Sequence, residues 1–214
     1  MIRLLEFHRS PNCAKIRIAL NYKGIPFEME EVSAADRSPM LRAVNWPLVP
    51  VILDGEVTMR DSEAILHYLE SNYRESPSLT PKDQDEIRRG EALTRDVQHS
   101  LRPIMRKIYG EVMKTPEQRD PRALAGIVDQ IAGAIEPLEE ALAGKDFLFG
   151  ERLSMYDILL ACALMPARPR PDYAAQSPMW AFFGKHLAIP ESLPNVIAWV
   201  DRVLAYDAEP AAAR

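Results

Sequence analysis

Residues 2–20 read IRLLEFHRSPNCAKIRIAL, and this stretch predicts a strand that is followed directly by a helix. The apolar run at its start is typical of a buried strand. Ser10 and Pro11 then predict a helix start, because serine is favoured at the N-cap and proline at the first helical position. Apolar residues recur at helical spacing until Gly24, which predicts the helix end. The loop that carries Ser10 therefore joins a strand to the electropositive end of a helix.

The remaining elements of the first 75 residues alternate in type. The sequence predicts strands over 26–32, 49–53 and 57–59, and helices over 38–44 and 63–72. Strands joined by helices imply parallel pairing, whereas the hairpin around Asp54-Gly55 adds an antiparallel edge. Residues 1–75 are therefore predicted to form an α/β domain with a four-stranded mixed sheet.

The chain after a polar linker that contains Pro77 and Pro81 is predicted to be helical throughout. Helices are predicted over 83–113 with a kink near Pro103, and over 121–143, 154–164, 179–187 and 193–206. This pattern predicts an all-α domain over residues 83–207. The four prolines within 166–178 predict an ordered extended loop, and the tail 209–214 is expected to fray.

Composition excludes several classes of protein. Of the 214 residues, 47% are hydrophobic and 27% are charged, which is enough for a core and argues against a disordered chain. The net charge of −5, with both signs interspersed, argues against a nucleic-acid-binding surface. Only Cys13 and Cys162 occur, so a disulfide scaffold is excluded and a reducing cytoplasm is expected. The sequence contains no apolar run of about 18 residues, so no membrane span is predicted.

Ser10 and Cys13 are the first candidate catalytic residues. A helix N-terminus stabilises anions, including a thiolate, and a serine hydroxyl there can donate a hydrogen bond to a bound thiolate. The alternative for Ser10 is a simple helix cap. Cys13 is either a small buried hydrophobe or a nucleophile whose pKa the helix lowers. The residues alone leave both alternatives open.

Two further motifs carry a structural and a functional interpretation. Val49-Pro50 opens a strand, where proline is allowed, but a cis peptide bond there would present the Val49 backbone to an extended peptide ligand. Asp61-Ser62 precedes a helix and can cap it. The same carboxylate and hydroxyl could instead hold the charged ends of an amino-acid-like ligand. The four histidines show no spacing typical of a metal site, so no metal is expected.

The joint order of these motifs resembles the glutathione S-transferase family over essentially the whole chain. The first part resembles that family's thioredoxin-like domain, whose Cys-Pro-x-Cys motif has often lost its first cysteine to serine. Ser10 matches the first position and Cys13 the second. Pro50 matches the family's cis-proline, and Asp61-Ser62 matches the pair that holds the γ-glutamyl group of glutathione.

The helical half carries a second part of the resemblance. Ser154 and Asp157 match a capping box of the family and are interpreted as structural. The family places its long helix beside the active cleft, so Arg102 and Tyr109 are expected to bind the substrate, with solvated surface charge as the alternative for Arg102. Residues of the 166–178 loop are expected to line the same pocket.

The resemblance implies an enzyme and a set of partners. Glutathione is the expected co-substrate, with its sulfur facing Ser10, and the second substrate is a small hydrophobic electrophile. A homodimer is expected, with no nucleic-acid or membrane partner. Three alternatives remain open: a glutathione-dependent isomerase of the maleylacetoacetate type, a thiol transferase that uses Cys13, and a binding or regulatory protein without catalysis.

One segment departs from the family pattern. The family usually has Asn-Pro-x-Gly-x-Val-Pro before the cis-proline, whereas residues 45–50 read NWPLVP and are one residue shorter. Leu48 stands where a basic or amide residue often contacts the glycine carboxylate of glutathione. Trp46 or a residue of the helical half is expected to take over that contact.

Overall fold

The first part of the chain forms one four-stranded mixed sheet in the computed structural model, which describes residues 1–33 and 35–208. The strands are β1 (Ile2–Glu6), β2 (Phe27–Glu31), β3 (Val51–Asp54) and β4 (Val57–Arg60). Their order across the sheet is β2-β1-β3-β4. Strand β1 runs parallel to β2 and antiparallel to β3, and β4 pairs antiparallel with β3. The predicted mixed sheet is confirmed.

The strand register brings three segments of the chain to one end of this sheet. Leu5 of β1 lies opposite Val51 of β3, and Val51 lies opposite Arg60 of β4. The loop after β1, the chain before β3 and the chain after β4 therefore meet at this end. These three segments carry the serine–proline, valine–proline and aspartate–serine motifs.

Helices cover this sheet and form the rest of the described chain. The helices of the first part are α1 (Pro11–Lys23), α2 (Ser38–Val44) and α3 (Ser62–Asn72). Those of the second part are α4 (Gln84–Val112), α5 (Pro121–Leu124), α6 (Ile127–Ala141), α7 (Met155–Leu164), α8 (Pro171–Gln176), α9 (Pro178–His186) and α10 (Pro194–Leu204). The predicted fold class, a thioredoxin-like α/β part followed by an all-helical part, is confirmed.

Two predictions about the helical part are wrong. The helix predicted over 121–143 is broken at Gly126, which has a φ of 69° and separates α5 from α6. That left-handed conformation favours glycine. The extended loop predicted over 166–178 contains α8, because Pro171 occupies the first position of a helix, where its fixed φ is favourable. The predicted fraying of 209–214 concerns residues outside the described ones.

Helix α1 is the element that joins the two parts. It packs against α3 on one side and against α7 on the other, and its interior residues are buried almost without exception. The apolar core runs continuously from Leu4 in the sheet to Trp199 in α10. The loop before α1 is therefore anchored to a rigid core. Within the described residues, no helix has the length and apolar character needed to cross a membrane.

Candidate active site at the start of helix α1

Ser10 occupies the N-cap of α1 but does not cap the helix with its side chain. Its backbone N–H donates to Phe7 O at 2.8 Å, and its carbonyl accepts from Cys13 N and Ala14 N, each at 3.0 Å. The hydroxyl accepts no hydrogen bond from a backbone N–H of the first turn of the helix, and the residue is half-buried. The interpretation of Ser10 as a simple side-chain cap is therefore wrong. Its hydroxyl remains available to a ligand at the positive end of the helix dipole.

Ser10 lines a cavity of about 630 Å³ between the two parts of the protein. The sheet side of the cavity combines polar and apolar groups, while the helical side is mostly aromatic. The sheet side consists of Phe7, Arg9, Ser10, Pro11, Glu31, Val32, Ser33 and Arg37. The helical side consists of Tyr109, Ser177, Met179, Trp180 and Phe183. A volume of this size accommodates a small organic ligand.

The aromatic wall of this cavity is held by edge-to-face ring contacts. The Phe183 ring lies 5.5 Å from the Tyr109 ring and 5.6 Å from the Trp180 ring, measured between centroids. The centroid of the buried Tyr173 ring lies 5.0 Å from that of Trp180 and 5.7 Å from that of His8. This geometry is favourable for aromatic pairs. The wall is therefore fixed relative to the loop that carries Ser10.

A buried ionic network supports the same loop from beneath. Arg17 of α1, which is 1% exposed, donates to His8 O at 2.9 Å, to the Glu6 carboxylate, and to Asp207 Oδ1 at 2.7 Å. Burial raises the pKa of Glu6, although attraction to Arg17 opposes this effect. Asn21 Nδ2 donates to Tyr206 O at 2.9 Å, so the chain beyond α10 is tied to α1 as well. These contacts fix the loop from both parts of the protein.

The prediction of Cys13 as a low-pKa nucleophile is wrong. Cys13 is 0% exposed within α1, and burial raises the pKa of its thiol to about 12. Desolvation of the thiolate outweighs the hydrogen bonds that favour it. Cys13 is therefore the small buried hydrophobe of the two alternatives. Cys162 of α7 is also buried, and burial raises the pKa of its thiol to about 12.

The other predicted glutathione-binding residues lie at the same end of the sheet as Ser10. The Val49–Pro50 peptide bond is cis; Val49 is half-buried and Pro50 is buried. Asp61 is exposed, and its carboxylate caps α3 by accepting from Glu63 N and Ala64 N, both at 3.0 Å. The capping interpretation of Asp61 is confirmed, while its second carboxylate oxygen does not take part in these two bonds.

Ser62 is buried beside α1, and Lys15 of that helix donates to its Oγ at 3.4 Å. Lys15 is itself buried, so an ammonium group lies next to the start of α3. The start of α3 therefore combines a helix N-terminus, a hydroxyl and a cation. Such a combination is favourable for a carboxylate.

Arg102 and Trp46 lie outside the cavity that contains Ser10. Arg102 lines a separate cleft of about 390 Å³ between α3 and α4, together with His67 and His99. The structure does not bring Arg102 into the cavity that Tyr109 lines, although their spacing along α4 fits a shared face. Trp46 is 43% exposed, and its ring lies under the Arg60 guanidinium at 4.7 Å.

Sequence reasoning missed two cations and most of the aromatic wall. Arg9 adjoins Ser10, so its place in the cavity could have been inferred from the motif itself. Arg37 lies at the start of α2, far from Ser10 in the sequence, and no local signal connects it with the site. Its guanidinium lies 4.4 Å above the Phe7 ring, which holds it at the cavity. Among the described residues, no group of three or more His, Cys, Asp and Glu is arranged to hold a metal ion.

Comparisons with known proteins agree with the resemblance noted in the sequence. The glutathione S-transferase N-terminal domain family matches residues 4–77, and the glutathione S-transferase C-terminal domain family matches residues 121–202. Glutathione S-transferase U7 of Arabidopsis thaliana is 28% identical over 96% of this chain and 84% of its own. The zeta-class glutathione S-transferase of Euphorbia esula is 31% identical over 74% of this chain and 72% of its own.

A solved structure extends this similarity to the fold. The theta-class glutathione S-transferase of Xanthomonas axonopodis pv. citri, determined with glutathione bound, is 25% identical and superposes with a TM-score of 0.67. The match covers 94% of this chain and 91% of that one.

Proposed function

The chain belongs to the glutathione S-transferase family and is a glutathione transferase, and we propose that Ser10 activates its co-substrate glutathione. The observation that carries this proposal is the Ser10 hydroxyl, which caps no helix turn and lines the interdomain cavity. In this arrangement the hydroxyl donates a hydrogen bond to the glutathione sulfur and stabilises its thiolate form. The second substrate, a small hydrophobic electrophile, occupies the aromatic side of the cavity near Tyr109.

The energies involved are of the size that this activation requires. A thiol with a pKa near 8.5 needs that pKa lowered by about two units to be mostly ionised at pH 7, which is about 2.7 kcal/mol. A hydrogen bond to a charged group contributes about 1.5–3 kcal/mol. The N-terminus of α1 adds about 0.3–1 kcal/mol. Together these two contributions account for the ionisation without a further base.

The remaining groups of glutathione are assigned to the end of the sheet where the three motifs meet. Asp61 and Ser62 hold the γ-glutamyl end, with Lys15 beside Ser62. The backbone of Val49, before the cis peptide bond to Pro50, pairs with the central part of the tripeptide. Arg37, rather than the exposed Trp46, takes the glycine carboxylate in place of the basic residue that is missing at Leu48.

The transfer step follows from this placement. With an aryl halide, the thiolate sulfur attacks the ring carbon, a sulfur–carbon bond forms, and the carbon–halogen bond breaks. The halide leaves with the bonding electron pair, and the thiol proton has already been released to solvent when glutathione ionises. The protein supplies ionisation and proximity, since both substrates share one cavity.

Replacement of the Ser10 hydroxyl tests this function. We expect Ser10→Ala to lower kcat/KM for an activated aryl halide about 10- to 100-fold and to raise the pKa of bound glutathione by about 1–2, since one charge-assisted hydrogen bond is lost. Calorimetry should still detect glutathione binding. Cys13→Ala, the matched change three residues along α1, should change kcat/KM less than about threefold. Loss of activity in the cysteine variant alone would overturn the assignment.

We further propose that the protein forms a homodimer and works in a reducing, cytoplasmic environment. Leu41, Trp46 and Leu48 are large apolar side chains exposed close together in sequence on the first part of the protein, with Leu48 54% exposed. An exposed apolar surface of this kind is typical of an interface. Two buried free thiols are typical of a reducing compartment. Sedimentation equilibrium should give twice the mass of one chain, and a monomer at micromolar concentration would contradict the dimer.

A further inference from the structure

The cavity beside Ser10 has an uneven distribution of charge. Arg9 and Arg37 both line it, and Glu31 is its one acidic side chain. Two guanidinium groups against one carboxylate leave an excess positive charge. The Glu31 carboxylate accepts from His8 N at 2.7 Å through its Oε2. The cavity therefore favours anionic ligand groups, and with Arg37 assigned to the glycine carboxylate of glutathione, Arg9 is the cation that remains for another group.

Arg9 is held in place by a group that does not neutralise it. Its Nη1 donates to the side-chain oxygen of Gln176, at the end of α8, at 3.3 Å. A neutral amide orients the guanidinium but leaves its charge uncompensated, whereas a carboxylate at the same position would cancel that charge. Arg9 is partly exposed at the cavity, so its charge is available to an anionic ligand group at this position.

The position of Arg9 separates its role from that of Arg37. Arg37 belongs to the start of α2 and stacks on Phe7, on the sheet side of the cavity. Arg9 adjoins Ser10 and reaches Gln176 of the helical part, so it links the Ser10 loop to the helical side of the cavity. A group that contacts Arg9 is therefore part of the molecule that lies against the aromatic wall.

We propose that the electrophile is an aromatic or planar conjugated anion, with a carboxylate or a similar group that binds Arg9 while its ring packs against the exposed side chains of Tyr109 and Met179. This inference rests on the proposed function and specifies its second substrate. Ring stacking supplies affinity, and the Arg9 contact fixes the orientation of the electrophilic carbon toward the sulfur. The anionic group takes no part in the bond changes, so it remains unchanged in the product.

A matched pair of probes tests the charge requirement. One is an aryl chloride activated by two nitro groups and carrying a carboxylate para to the chlorine, and the other is its methyl ester. Each kcat/KM is divided by the rate constant of the uncatalysed reaction with free glutathione, which removes the difference in intrinsic reactivity. The normalised value for the acid should exceed that for the ester about tenfold or more, and this ratio should fall as salt is added.

Three variants locate this preference at Arg9. Arg9→Gln should lower the acid-to-ester ratio about 10- to 100-fold, the size of one charge-assisted hydrogen bond. Gln176→Glu should lower the ratio similarly, because it places a carboxylate beside an intact Arg9 on an exposed helix end. Arg88→Gln, an exposed arginine at the start of α4, should leave the ratio unchanged.

The outcomes distinguish this inference from the function on which it rests. A wild-type ratio at or below one overturns the inference, and so does a ratio that Arg9→Gln and Gln176→Glu leave unchanged. A higher glutathione KM in Arg9→Gln, equal for both probes, would assign Arg9 to glutathione and also overturn it. If neither probe reacts faster than in solution, the transfer function itself fails.

Discussion

Three described helices have a serine at the N-cap: Ser10 before α1, Ser154 before α7 and Ser177 before α9. The first two serines are used in opposite ways. Ser154, before α7, is 3% exposed, and its side chain and backbone are both bonded to Asp157. Ser10, before α1, forms no side-chain hydrogen bond to a backbone N–H of its helix, and it lines a cavity. The residue type is the same, and the position relative to the helix is the same.

The residue three positions after each of these two serines contributes to this difference, although Ser177 caps α9 through Trp180 N without a carboxylate there. At α7 it is Asp157, whose carboxylate closes a capping box with Ser154. At α1 it is Cys13, which offers no carboxylate and is turned into the core. The first cap is satisfied within the chain, whereas the second leaves its hydroxyl for a ligand. A helix start thus serves stability or binding according to whether its own first turn completes it.

The largest expected effect concerns the start of α7, where Ser154 and Asp157 cap each other within the chain. Asp157 is 0% exposed and accepts from Leu148 N, from Ser154 and from Trp199 Nε1. Asp157→Ala leaves all these donors buried without an acceptor, so we expect a loss of about 3–5 kcal/mol in the free energy of unfolding. Urea denaturation followed by circular dichroism measures this loss.

A conservative change sharpens the same measurement. Asp157→Asn keeps one acceptor oxygen and should lose less stability than the alanine variant. Asp129→Ala, in the first turn of α6, is the matched change of an aspartate that is not part of such a network and should cost less than about 1 kcal/mol. Equal losses in Asp157→Ala and Asp129→Ala would show that the network contributes nothing.

The second expected effect concerns Cys13, which occupies in α1 the position that Asp157 occupies in α7. Because burial raises the pKa of Cys13 to about 12, the folded protein should hold about a thousandfold less thiolate at pH 8 than an ordinary thiol does. Cys162 should behave in the same way. Alkylation by iodoacetamide, followed by mass spectrometry, should therefore be very slow in the native protein and complete in urea.

The raised pKa values of the two buried thiols also determine how the free energy of unfolding depends on pH. The unfolded chain loses its thiol protons at a lower pH than the folded chain does, so the stability from the two buried thiols is present below about pH 9 and is lost as the pH rises toward 12. Rapid alkylation of Cys13 at pH 8 in the native protein would contradict its assignment as a buried core residue.

The difference between the two helix starts also marks how far sequence reasoning reaches. Strand β1, helix α1 and the β3–β4 hairpin each carry a local sequence pattern, namely an apolar run, a helix start and a tight turn, and the sequence predicts them. The capping box of Ser154 and Asp157 is equally local and was identified. The apolar pattern continues across Gly126, so it does not predict the break there. The prolines around α8 predict extended chain, whereas Pro171 in fact occupies the start of a helix.

The site was predictable only in part, for the same reason. Ser10 lies in a motif of four residues, so the sequence identifies it as a candidate. The cavity needs Arg37 from α2 and Trp180 from α9, which tertiary packing alone brings to Ser10. Arg102 and Tyr109 show the converse, since their spacing on α4 fits a shared face, but residues of α3 line the cavity at Arg102 and residues of α9 line the cavity at Tyr109.

The smallest expected effect compares the two serines directly. Ser154→Ala removes a cap that the helix uses, so it should cost about 0.5–2 kcal/mol of the free energy of unfolding. Ser10→Ala removes a hydroxyl that caps nothing and should change it by less than about 0.5 kcal/mol. Both values come from urea denaturation in the absence of glutathione. With saturating glutathione, the wild type should be stabilised more than the Ser10→Ala variant, because a ligand stabilises the state that binds it more tightly. If Ser10→Ala lowered the free energy of unfolding as much as Ser154→Ala does, both hydroxyls would act as helix caps. The Ser10 hydroxyl would then stabilise α1 rather than bind the ligand.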